Sequence, residues 1–308
     1  RLDSIWDTFC SQNNTIEDNS NGDIACQHVE KWQEDVALIA GLGVDAYRLS
    51  ISWPRVVNSD GTINHIGMQF YVNLVDELVK RNIKVFVTLY HWDLPQYLEE
   101  KGGWLNRETA TAFAHYTDIV ASALGDKVYS YATLNEPFCS AYLGYELGIH
   151  APGKTGVANG RKSAHHLLLA HGLGMKVLRE KCPSSLNGIV LNFSTCHSAT
   201  ESPADKLAAK LADEYHNRWY LQPIIEGTYP DVCDQLPVEQ QPDILEGDMD
   251  IISQPIDFLG INFYTRTVYK STENGWFDVQ EPEDVPLTAM GWEITPDAFT
   301  ELLIDLQQ

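Results

Sequence analysis

Positive charge is scarce in this sequence of 308 residues: 21 lysines and arginines stand against 43 aspartates and glutamates, a formal net charge of −22. Such an excess of negative charge disfavours nucleic acid and anionic membrane surfaces as partners, so neither is expected. No apolar run reaches the ~18–20 residues that a membrane helix requires. The six cysteines (Cys10, Cys26, Cys139, Cys182, Cys196, Cys233) include no CxxC pair. Their spacing matches neither a zinc site nor a disulfide framework, and free thiols in a reducing, cytoplasmic compartment are expected. No GxGxxG or GxxxxGK follows any strand-like run, which counts against a nucleotide-binding sheet. Fixed-period repeats and low-complexity linkers are also missing. The first residue is an arginine and no leader is visible.

What the chain does contain is an alternation. Residues 1–27 are polar and aperiodic and read as loop. Val29, Trp32, Val36, Ile39 and Ala40 then recur at helical spacing, and Ala46–Ile51 follows as a strand. Helical stripes through Phe70–Leu78, Phe113–Leu124, Leu167–Leu178 and Leu207–Trp219 alternate with strands at Val85–Leu89, Val128–Leu134, Gly188–Leu191 and Phe258–Ile261. A last helix opens at Thr295-Pro296, a cap and first-turn pair, and runs to Gln307-Gln308. Five strands separated by helices imply a parallel sheet with covering helices, either a barrel or a doubly wound sheet. The missing phosphate loop favours the barrel, read as one domain over residues 1–308.

In a β/α barrel the chemistry collects where the strands end. Those ends carry Arg48, His91-Trp92, Asn135-Glu136, Asn192 and Asn262 with Tyr264. Amides and imidazole can bond hydroxyls, indole can stack on a sugar face, and one carboxyl can move a proton. The set suits carbohydrate. A carboxylate at a buried strand tip is costly without a role, which singles out Glu136. The plainer readings are that Asn135-Glu136-Pro137 merely stops a strand, that His91-Trp92-Asp93-Leu94-Pro95 is a capped turn, and that Arg48 is a buried arginine paired for structure. Asn192 and Asn262 can equally be hydrogen-bonded structure. His165, His166 and His171 lack a helical metal spacing and read as packing or surface residues. Glu99-Glu100-Lys101 reads as a solvated stretch, and the acidic residues around Glu281, Glu283 and Asp284 as a solvated loop.

Seven motifs taken together are similar to glycoside hydrolase family 1, the β-glucosidase family: Ser4-Ile-Trp-Asp-Thr-Phe9, Ala46-Tyr-Arg-Leu-Ser-Ile-Ser-Trp-Pro-Arg55, Thr88-Leu-Tyr-His-Trp-Asp-Leu-Pro95, Gly102-Gly-Trp104, Thr133-Leu-Asn-Glu-Pro137, His150-Ala-Pro-Gly153 and Asp257-Phe-Leu-Gly-Ile-Asn-Phe-Tyr264. The resemblance implies a TIM-type (β/α)8 barrel and a retaining mechanism with two glutamates. It would make Glu136 the acid/base, put Asn135 on the 2-hydroxyl, and give His91 and Trp92 a sugar subsite. Tyr264 would bond the nucleophile and Arg48 would steady its charge, with Asn192 and Asn262 in support. The substrate implied is a small β-glucoside or cello-oligosaccharide, and the chemistry needs no metal or organic cofactor.

The family's nucleophile stands in a T-E-N-G segment after the helix that Gly-Trp-Glu-Ile introduces. Here Thr272-Glu-Asn-Gly275 precedes Gly291-Trp-Glu-Ile294, so Glu273 is rejected and the nucleophile is expected to be absent from these residues. The resemblance therefore implies strands two to six of eight, with the first strand and the last two missing and the 308 residues inactive by themselves. The alternatives are a non-catalytic, vestigial sugar-binding barrel, or a 6-phospho-β-glycosidase of the same family.

Overall fold

The computed structural model describes residues 1–307. The chain forms two compact units, Arg1–Val190 with Pro242–Gly260, and Leu191–Gln241 with the segment from Ile261 onward. The chain crosses from the first to the second inside two long strands.

The first unit is built on parallel strands β1 (Ala46–Ser50), β2 (Lys84–Tyr90), β3 (Ser130–Asn135) and the start of β4 (Leu186–Ser198), in that order. Helix His28–Gly41 precedes β1, and helices His65–Lys80, Glu108–Leu124 and Val157–Lys181 connect the successive strands. β3 is buried at every position, as expected of a parallel strand covered on both faces. β1 alternates between exposed and half-buried residues, so Arg48 is exposed rather than buried as the sequence suggested. The strand β5 (Phe258–Ser271) starts beside β4, where Gly188 lets the chains approach: a Cβ there would stand 2.2 Å from the Phe258 carbonyl oxygen.

One irregularity in the ladder bears on function. Ala132 faces Gly188 while Asn135 faces Val190, so three steps along β3 match two along β4. The extra residue is a bulge, a device that re-aims side chains at a strand end. It lies immediately before Glu136.

Several expectations change. Residues 1–27 are not all loop: Ile5–Cys10 is a helix whose cap Ser4 and third residue Asp7 bond each other's backbone reciprocally. Glu99 is not solvated but buried, paired with Lys154 at 2.5 Å and accepting from the Tyr145 hydroxyl. His165, His166 and His171 are packing residues, all buried. They face Asp248 at 3.0 Å, the Trp104 carbonyl at 2.8 Å and the Thr133 hydroxyl at 2.7 Å. Burial holds the last two imidazoles down, His166 to about 4 and His171 to about 3.

In the second unit β4 and β5 run on well past the ends expected of them, and β5 returns as an antiparallel β6 (Phe277–Val279). Thr265, Thr267, Val268 and Tyr269 are good strand formers, but the intervening polar residues hid the pattern. Cross-strand bonds hold the extension, with the Ala199 amide on the Tyr269 carbonyl at 2.7 Å and the Ser194 and Thr267 hydroxyls 2.7 Å apart. Helix Pro203–Asp213 packs Ala209 and Ala212 against Tyr269. The last helix is Pro296–Gln307; Gln308 lies outside the described residues. No helix among the described residues is long and apolar enough to cross a membrane.

Candidate active site

In the first unit the strand ends bring Arg48, His91, Trp92, Asn135 and Glu136 into one bonded group. The Arg48 guanidinium donates to the Thr88 hydroxyl at 3.0 Å and to Asn135 Oδ1 at 2.8 Å. The other end of the same amide, Nδ2, donates to His91 Nε2 at 3.1 Å. That assignment requires a neutral imidazole, and crowding of the ring together with the Arg48 charge does hold His91 below its usual value. The amide of Asn135 is thereby oriented from both sides. The Trp92 indole donates to the Asn135 carbonyl at 2.8 Å, so it braces the backbone that carries the next residue.

That residue is Glu136, 2% exposed, with its amide donating to the Val190 carbonyl at 2.8 Å. Its backbone sits at φ +46°, and Trp92 at φ +82°. Both are left-handed conformations that cost a non-glycine residue of order 1 kcal/mol or more and persist only where the surroundings enforce them. Two such residues facing each other across one carbonyl mark a strained and over-determined site.

Residues that the sequence reading passed over complete the surroundings. Cys139 Sγ lies 3.2 Å from Glu136 Oε2. The His150 ring lies tilted at 5.6 Å from Trp92 and edge-on at 5.3 Å from Trp6, and burial lowers its proton affinity while the Glu136 carboxyl opposes that shift. Asp93 is enclosed beside the group: its Oδ1 is buried without a hydrogen bond, and desolvation pushes its carboxyl up to about 7. The sequence named Asp93 as part of a motif and gave no sign that one of its carboxyl oxygens would be buried without a bond.

The remaining residues expected in the site lie in the second unit. Asn192 is half-buried inside β4, not at its tip. Asn262 and Tyr264 lie inside β5, with Tyr264 half exposed and its ring 5.1 Å from Trp292. Glu293, next to Trp292, forms a two-point pair with Arg266 at 2.8 and 2.9 Å. Glu273 occupies an exposed turn between β5 and β6, closed by the Gly275 amide on the Thr272 carbonyl at 3.0 Å. The segments on either side of it are the two arms of this hairpin. No group of three or more His, Cys, Asp or Glu side chains among the described residues could hold a metal ion.

Comparison with known proteins gives a concordant picture. The sequence model of glycosyl hydrolase family 1 matches residues 1–308. A 1,4-β-D-glucan glucohydrolase of Thermotoga neapolitana is 40% identical over 303 residues, covering 97% of this chain and 71% of that protein. β-Glucosidase A of Thermotoga maritima is 39% identical over 303 residues, covering 97% and 68%. Among solved structures, a family 1 β-glucosidase from Thermotoga maritima in complex with isofagomine lactam superposes with a TM-score of 0.95 at 38% identity, covering 99% of this chain and 70% of that one. These matches and the helix-connected parallel strands give the fold class as a (β/α)8 barrel, of which the 308 residues hold part.

Proposed function

The chain belongs to glycosyl hydrolase family 1, and we propose that within it Glu136 is the proton-transferring residue of a retaining β-glucosidase. The observation that carries this reading is a buried carboxyl held in a strained conformation beside an amide oriented from two sides. Energy stored at one residue and hydrogen bonds converging on its neighbour favour a working group over a strand stop. The glycosidase assignment also rests on relatives named β-glucosidase and glucan glucohydrolase.

In this reading Glu136 protonates the leaving oxygen in the first half-reaction and takes a proton from water in the second. Asn135, with one amide end on Arg48 and the other on His91, presents a bond to the 2-hydroxyl beside the reacting carbon. His91 and Trp92 receive the sugar, and Arg48 supplies positive charge. The family resemblance gives Tyr264 a bond to the nucleophile, and Asn192 and Asn262 supporting roles. The second glutamate, about 5–5.5 Å from the first in a retaining enzyme, belongs to the part of the relatives that these residues do not span. A terminal non-reducing β-D-glucosyl residue of a small glucoside or cello-oligosaccharide is the substrate class. One family model over the whole chain supports a single catalytic domain, and six free cysteines suit a reducing cytoplasm.

The test uses a chimera in which these residues are joined to the complementary segments of the Thermotoga maritima relative. Glu136→Gln should slow hydrolysis of glucosides with poor leaving groups far more than of those with good ones. Equal slowing, or none, sinks the assignment.

A further inference from the structure

We propose that the Cys139 thiol is a positioning residue for Glu136, donating to Oε2 and thereby fixing one carboxyl oxygen and favouring its ionised form. This deepens the acid/base reading of the site and rests on it. The thiol and the carboxyl are held from the same turn: Sγ stands 3.2 Å from Oε2, and the Cys139 amide donates to the Glu136 carbonyl at 2.9 Å. Both residues are buried, at 7% and 2% exposure, so water does not compete for the contact. Burial, followed by the charge of Glu136, pushes the thiol well up, which keeps it a neutral S–H donor and not a thiolate.

The contact is built rather than incidental. Cys139 is the first residue of a π-helix, Cys139–Glu146, a rare conformation that tends to occur at functional positions. The far end of that helix is tied down by Glu146, which accepts from the Arg161 guanidinium at 2.8 and 3.1 Å, both side chains being buried. Tyr145 beside it donates to Glu99. The segment cannot turn away without breaking these buried bonds.

Other charged and titratable groups also act on Glu136, and a test must separate them from the thiol. His91 reaches it from the end of β2 and His150 from the segment after the π-helix. Arg48 reaches it from β1 through Asn135. None of them is itself replaced in a Cys139 variant. A bond to the charged form of an acid favours that form, and a thiol is a weak donor.

The experiment is a carboxyl titration by NMR on the 308-residue chain labelled with 13C-glutamate, the signal of Glu136 being identified by its loss in Glu136→Gln. Cys139→Val should raise the titration midpoint by about half to one pH unit, about a threefold to tenfold gain in proton affinity. Cys139→Ser, which restores a donor, should bring it back to the starting value or below. A midpoint unmoved in the valine variant overturns the proposal. So does a serine variant that shifts together with valine, since the effect would then be packing. A second measurement reads the donor: the infrared S–H band lost in Cys139→Ser should move in Glu136→Gln, and a band that stays put also refutes the bond. Failure of the acid/base reading would show in the leaving-group dependence of the chimera and would leave these titrations standing.

Discussion

Replacing Asp93 by asparagine should make the chain more stable at neutral pH and leave it almost unchanged in acid. Its Oδ1 is buried and unbonded, and desolvation raises the carboxyl to about 7 against hydrogen bonds from the Ser52 side chain and the backbone that lower it. In the unfolded chain an aspartate titrates near 3.9. The folded state therefore binds this proton more tightly than the unfolded state, and stability falls as pH rises from about 4 to about 7. Below that window the group is neutral in both states and costs nothing; above it the folded chain carries a buried anion. About three units at 1.36 kcal/mol each set an upper bound of about 4 kcal/mol. Asparagine is neutral throughout and of the same shape. Urea unfolding followed by tryptophan fluorescence, from pH 4.5 to 8.5, should show the two proteins converging at the acid end and the variant ahead by a few kcal/mol at the other. Because His166, His171 and every other titrating group are present in both proteins, their contributions cancel in the difference. A difference that does not depend on pH, or that grows toward acid, would refute the reasoning.

Other expectations are simpler to state. Gly188→Ala should destabilise by about 1–3 kcal/mol, because its Cβ would meet the Phe258 carbonyl at 2.2 Å; a melting temperature equal to wild type would show that β4 and β5 can part there without cost. Arg161→Met deprives the buried Glu146 carboxylate of its arginine and should cost about 3–5 kcal/mol, with partial recovery when Glu146→Gln is added; chemical denaturation of the single and double variants reads both. The 308 residues alone should release no nitrophenol from an aryl β-glucoside, and turnover that survives rigorous purification would place a working nucleophile inside them.

The sequence revealed most where side chains repeat with a clear period. The helices through Phe70–Leu78 and Phe113–Leu124, and strands β2 and β3, lie where apolar spacing put them, within a few residues. Reading failed where polar residues pair across a ribbon. Ser194 and Thr267 bond each other across β4 and β5, and a hydroxyl facing a hydroxyl carries no apolar signature. Glu99 misled because two neighbouring charges suggested water, whereas its partners Tyr145 and Lys154 lie about 50 residues away in the chain. Within the candidate site, residue types at strand ends were enough to single out Glu136 and Asn135. The bulge in β3, the left-handed backbone of Glu136 and Trp92, and the thiol of Cys139 belong to register and torsion, which one sequence does not spell out.

The hairpin at Thr272-Glu-Asn-Gly275 shows how little four letters say by themselves. Threonine closes the turn with its side chain and glycine accepts φ +77°, so the same string that marks a nucleophile in this family is also a sound recipe for reversing a chain. Drift can produce it in any surface ribbon without selection for chemistry. A search that scores letters alone accepts Glu273, although that residue sits in an exposed turn between β5 and β6. What marks this copy as a turn is the hydrogen-bond partner of the residue after it: the Trp276 amide donates to the motif's own threonine hydroxyl at 3.0 Å.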